Sequence, residues 1–146
     1  MAGVVNMADE VTVKVEGVKE LIKNVRAYQL IKKEAIRIAL VRGGYKVELA
    51  AKEMCPVITN RLRSSITTDK SEVQGFVVKV GTNVKYAPYV EHGHRQTPGR
   101  FVPAIGKRLV RDFVPGKPYL HPAFFMFEGE IIKDIKVILK KDEHLK

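Results

Sequence analysis

Valines alternate with polar residues in Val11-Thr12-Val13-Lys14-Val15-Glu16-Gly17, the period-two pattern of a half-buried strand that Gly17 ends. Residues 1–9 before it and 142–146 at the other end carry no apolar period and are expected to fray. After the strand the period lengthens. It predicts a short helix over residues 18–25 and a long one over residues 27–54, stopped before Pro56 and about 42 Å long. At about 100° per residue, Leu30, Ile31, Ile38, Val41, Tyr45 and Leu49 fall on one side of the long helix, and Ile36, Leu40 and Val47 nearly opposite. A helix with two apolar faces can cover a sheet with one. The other must meet a second helix or another subunit. Gly43-Gly44 interrupt this helix and are read as a kink, the alternative being close approach of a neighbouring backbone.

Beyond Pro56, "RSSITT" (63–68) and "VQGFVVKVGT" (73–82) read as two strands joined by the turn-like "DKSE", with Phe76, Val78 and Val80 alternating in the second. From Gly93 to Lys117 the period is lost among glycines and prolines, yet Phe101, Val102, Ile105, Leu109, Val110, Phe113 and Val114 are apolar. A solvated linker would not need them. The segment is therefore read as a functional loop that folds back on its own body or orders against a partner. The last element starts at "HPAFF", where Pro122 suits a first helical turn, and Phe124, Phe127, Ile131, Ile135 and Ile138 form one stripe.

Composition narrows this picture. The length suits a single domain, 1–146, with an ordered core over about 10–141 and an extended loop over 92–117. With 45% hydrophobic and 29% charged residues, disorder is not the default for the body of the chain. No apolar run approaches the roughly 18 residues of a membrane span, and the start lacks a basic n-region, so a soluble, unexported chain is expected. Cys55 is the single cysteine, which excludes an internal disulfide and a cysteine-based zinc cluster.

The net charge of +10 concentrates in the middle of the chain. Between His92 and Lys117, Arg95, Arg100, Lys107, Arg108, Arg111 and Lys117 face only Asp112. Such a field favours an acidic partner or nucleic acid.

The densest candidate chemistry is "KYAPYVEHGH", 85–94. Glu91, His92 and His94 could hold a metal if the histidines lay on a strand, but hydrolytic metal sites usually recruit more carboxylates than this region offers. No phosphate loop, nucleophile elbow or zinc-protease motif occurs. Cys55, at the apolar end of a helix, reads as a core residue rather than a nucleophile. Tyr86 and Tyr89 could stack bases, but Ala87, Pro88 and Val90 between them favour core and interface packing. Among such neighbours Glu91 needs an arginine or backbone donors, which makes it a fixing residue. His121, before Pro122, reads as a cap at the start of a helix.

Three fragments, in order, carry a resemblance: "CPVITNRLRSSI" (55–66), "VGTNVKYAPYVEHGH" (80–94) and "GKPYLHPAFF" (116–125). Together they resemble the tail-completion, or head-to-tail joining, proteins of long-tailed bacteriophages. Pro56, Thr59, Leu62, Arg63, Ser65 and Ile66 match one family motif. Tyr86, Ala87, Tyr89, Val90, Glu91 and Gly93 match a second, and Pro118, Leu120, Pro122 and Ala123 a third. Asn60 stands where the family has glycine; asparagine tolerates the left-handed conformation, so the turn is expected to survive.

The resemblance implies an α+β fold, a small, mainly antiparallel sheet against one long helix and a C-terminal helix, with a long basic loop. It also implies a virion protein without catalysis, cofactor or metal, in a self-assembled, hexameric ring at the head-tail junction. Its expected partners are the head connector or stopper protein, the tail tube or tail terminator protein, and DNA passing through the lumen. On this reading Tyr86, Tyr89 and Glu91 fix the turn that launches the loop. Arg95, Arg100, Lys107, Arg108 and Arg111 meet the acidic partner surface or the DNA. The runner-up is a basic nucleic-acid-binding protein, and a third reading is a metal-dependent nuclease using Glu91, His92 and His94.

Overall fold

The computed structural model describes residues 3–7, 10–14, 30–57 and 60–141. The expected helix over 18–25, the end of the first strand at Val15, and Thr59 lie outside them. The chain begins with β1 (Gly3–Met7) and β2 (Glu10–Lys14), paired antiparallel from Gly3↔Lys14 to Met7↔Glu10. The expectation that residues 1–9 fray therefore fails for Gly3–Met7. Its two adjacent valines show no alternation, and the strand is specified by its partner. After β2 come helix α1 (Leu30–Met54), helix α2 (Asn60–Ser65), β3 (Thr67–Asp69) and β4 (Lys79–Thr82). The four strands form one antiparallel sheet in the order β1-β2-β4-β3. The protein is α+β, as expected.

Two of the strand expectations are corrected in detail. "RSSITT" straddles a boundary, with its first three residues closing α2. Ser64 and Ser65 donate their hydroxyls to the carbonyls of Arg61 and Leu62, the local bonding by which serine competes with a strand ladder. In "VQGFVVKVGT" only Lys79–Thr82 is strand. Val73–Gly75 form a 3-10 turn, and Phe76 follows in the left-handed region at φ 61°. Phe76 is the one non-glycine residue with positive φ among those described, so Asn60 does not take the left-handed form but opens α2.

Helix α1 buries Ile36, Leu40, Val47 and Ala51, and this single face meets both the sheet and the C-terminal helix, α4 (Leu120–Lys140). Gly43 and Gly44 make that sharing possible. A Cβ on Gly43 would stand 2.5 Å from Ile131 Cγ1 of α4, and one on Gly44 would stand 2.8 Å from Thr68 and Val78 on the sheet side. The pair therefore serves close approach, inside a helix that runs unbroken through it, rather than the interruption read from the sequence. Glu48 accepts a hydrogen bond from Thr68 at 2.6 Å, and Lys46 pairs with Glu130 of α4. Phe124, Ile131 and Ile135 fill the core from α4, while Phe127 and Ile138 flank it, as the stripe predicts.

Among the described residues nothing covers the other apolar face of α1. Ile38, Tyr45 and Leu49 are 54%, 47% and 61% exposed and, with Val41, line a shallow groove of about 610 Å³ that Val73 closes on one side. The alternative of a second helix on this face is not realised among the described residues, because α4 has taken the opposite one.

The segment after the sheet is more regular than its composition suggests. Helix α3 (Ala87–His92) leads into β5 (Gly93–Arg95), β6 (Phe101–Val102), β7 (Lys107–Arg108) and β8 (Phe113–Pro115). β5 pairs with β8, and β6 with β7. Between these pairs Gln96 N–H donates to Asp112 O at 2.8 Å, and Gly99 and Leu109 N–H donate to Leu109 and Arg100 O. The result is one antiparallel arm, turned at its tip by Pro103–Gly106, with Gly106 at φ 63°. Strands of two or three residues carry no readable period, which is why the arm is invisible as such in the sequence.

Candidate assembly site at the root of the arm

Helix α3 is only six residues long and buries Ala87 and Glu91, four apart on one side. Tyr86 and Tyr89, one residue before and two after Ala87, consequently face outward and are exposed. They do not pack in the core, contrary to half of the expectation. Tyr86 starts the helix, its carbonyl accepting from the N–H groups of Tyr89 and Val90. The Tyr89 ring meets His94 of β5 edge-on, centroids 6.0 Å apart.

Glu91 is the fixing residue in structural terms. Its side chain is fully buried, and its two oxygens receive the open end of α4. Tyr119 and Leu120 N–H donate to Oε2 at 2.9 and 3.1 Å, His121 N–H donates to Oε1 at 2.9 Å, and the His121 Nδ1 lies 2.6 Å from Oε1. A helix leaves its first N–H groups without internal partners and carries partial positive charge there, so a carboxylate is the fitting cap. Burial pushes the Glu91 carboxyl up, but the three N–H groups and His121 outweigh it and hold the group below the usual carboxylate range. Tyr119, fully buried beside it, is pushed in the opposite direction, first by burial and then by the nearby Glu91 charge.

The arm leaves the body at a crossing of two glycines. Gly93, at φ 83°, would place a Cβ 2.4 Å from Val114 O, and Gly116 would place one 2.5 Å from Glu91 O and from Gly93 N. No side chain fits at either position. Lys117 N–H closes the crossing with a 2.7 Å bond to Val90 O. α3, both ends of the arm and the start of α4 therefore converge on one point.

The remaining sequence candidates fall around this junction. Leu62 and Leu120 are buried in the core, Pro122 is half-buried in the first turn of α4, and Arg63 and Pro118 are exposed. Ser65 Oγ lies 2.5 Å from Thr82 Oγ1, which accepts Val84 N–H, so α2 is tied to the end of β4. Pro56 is half-buried on the wall of a groove at the arm root. Arg95, Arg100, Lys107, Arg108 and Arg111 are all exposed on the arm, and Arg108 also donates across it to Gly99 O at 2.8 Å.

Chemistry finds little to work with here. Both Glu91 oxygens are engaged, His92 stacks edge-on against His121, and His94 faces Tyr89, so the three residues of the metal reading point into different surroundings. Among the described residues no three histidine, cysteine or acidic side chains gather to hold a metal. Cys55 is buried in the core, its thiol pushed up by that burial. No described helix is long and apolar enough to cross a membrane. Sequence reading missed Gly116 as the partner of Gly93. The signal available was a glycine on each side of a segment whose ends must meet.

Fold and site together define an α+β protein whose sheet-and-helix body carries a projecting arm on a rigidly capped base. Residues 19–93, just over half of the chain, match the family described as "Bacteriophage HK97-gp10, putative tail-component", and the chain belongs to that family. The match takes in α1, α2, α3 and the sheet's β3 and β4, leaves out β1 and β2, and ends at Gly93, the first residue of the arm. No curated protein and no solved structure matches the chain.

Proposed function

We propose that this phage tail component is a tail-completion protein, a non-catalytic subunit of a homo-oligomeric ring, six-fold when complete, that joins the head connector to the tail tube. The observation that carries the ring is the uncovered face of α1. Three large apolar side chains stand exposed on a helix whose other face is already filled. An apolar patch of this kind on a folded chain marks an interaction surface. A closed ring needs contact between two unlike surfaces of neighbouring copies, and the face supplies one of them.

The arm supports the joining role. It carries five exposed cations against Asp112, and the exposed apolar groups Phe101, Ile105, Val110 and Phe113. On this reading it meets an acidic face of a neighbouring virion protein or the DNA in the lumen, and Glu91 keeps its base from turning. Electron microscopy of particles from a phage or prophage lacking this gene tests the proposal. Full heads beside complete, unattached tails are the expected result; normal joined virions would overturn it.

A further inference from the structure

At the arm root lies a second groove, of about 850 Å³, distinct from the one on α1. Its floor is the outward side of α3, with Tyr86, Tyr89 and Val90. Val57 forms one wall and Pro115 of β8 the other. Val57 and both tyrosines are exposed, so an apolar trough stands open on a rigid base. Arg95 and Lys117 also line it, no acidic described residue does, and neither cation makes an ion pair among the described residues. Glu91 lies beneath, but its charge is spent on the start of α4.

We infer that this groove is a docking site for an acidic peptide segment of another protein, one that seats an aromatic or aliphatic side chain between Val57 and Tyr89 and sets carboxylates against Arg95 and Lys117. Charge complementarity selects the partner. A trough whose charges among the described residues are all positive, on a chain of net charge +10, disfavours the same trough of a second copy and attracts carboxylates. The trough's shape selects peptide over nucleic acid. Valine and proline side chains (Val57, Val90, Val114, Pro56 and Pro115) make up half of its lining and the Tyr89 ring is already in a T-shaped contact with His94, so the trough is an apolar slot rather than a row of aromatic platforms for successive bases. Buried aromatic anchors inside a polar rim are the usual energetic centre of such contacts. This goes beyond the joint itself, because peptide capture by the groove stands whether or not a ring forms.

The test is selection from a random-peptide library on the purified full chain, followed by fluorescence polarisation of the enriched peptides. Tyr89, Arg95 and Lys117 are exposed, so Tyr89→Ala and the double variant Arg95→Glu/Lys117→Glu are expected to fold, which circular dichroism checks. Enriched peptides should combine acidic residues with an apolar anchor. Each variant should weaken their binding about tenfold or more, while Lys133→Glu on α4 leaves it unchanged. Enrichment of peptides without acidic residues, no enrichment, or equal binding by the variants would overturn the proposal. So would an oligothymidylate probe binding in a Tyr89-dependent way, or light scattering in which Tyr89→Ala turns an oligomer into a monomer, which would make the occupant nucleic acid or a second copy.

Discussion

Replacing Glu91 by glutamine keeps the side chain's size and removes its charge. The amide has one acceptor oxygen where the carboxylate has two, and its NH2 group must face either Tyr119 and Leu120 N–H or His121 N–H. The second choice is cheaper, since it strands one backbone donor and the His121 ring can turn acceptor. A stranded buried donor costs about 1–3 kcal/mol, and loss of a buried anion at a helix start adds roughly 0.3–2 kcal/mol. A destabilisation of about 3 kcal/mol follows from the two together, equivalent to a fall in Tm of roughly 10 °C for a chain of this size. Thermal and urea unfolding at neutral pH measure it.

The pH dependence fixes the cause. The folded-state carboxyl of Glu91 sits below its unfolded value of about 4.3. Its contribution is therefore present above that value and is lost as the pH falls through the folded one. Glu91→Gln has no such group, so the stability gap should be widest at neutral pH and close in acid. A variant within about 0.5 kcal/mol of the parent at pH 7, the ordinary scatter of a neutral surface change, would refute the capping argument. A gap that does not narrow with acid would refute the role of the charge.

Four further outcomes follow from the packing. Gly43→Ala should destabilise by about 1–2 kcal/mol by urea unfolding, since the gain in helix propensity is outweighed by the clash with Ile131; Gly129→Ala in α4, with open space around it, should instead stabilise by up to about 1 kcal/mol. Gly116→Ala drives a Cβ into backbone on two sides, so amide exchange at Lys117 should lose its protection. Tyr45→Ser with Leu49→Ser, both exposed in the protomer, should leave Tm within a few degrees, in keeping with surface changes of about 0.5 kcal/mol each, and abolish ring formation as seen by electron microscopy.

How much of this was legible depended on the distance over which each residue finds its partner. α4 was readable because its stripe of Phe124, Phe127, Ile131, Ile135 and Ile138 recurs over about four turns, and α1 because Pro56 stops it and two faces repeat along it. Gly43 and Gly44 were misread because a sequence shows a glycine's lost propensity, whereas its use depends on Ile131 and Val78 far along the chain. The need of Glu91 for donors was visible from its apolar neighbours, but the donors lie 28 to 30 residues away on the next helix. β1 and the arm strands were missed because pairing, not pattern, makes them strands. The outward turn of Tyr86 and Tyr89 follows from α3 being a single short helix with one buried side, a register no local signal sets.

No residue between Gly93 and Pro118 belongs to the buried core among those described; the core leaves the chain at Ala87 and resumes at Tyr119. The body's stability therefore places almost no demand on what the arm spells beyond its two root glycines. Such a segment is free to drift. Substitutions can accumulate along the arm one at a time without passing through an unstable intermediate, while the body keeps its frame.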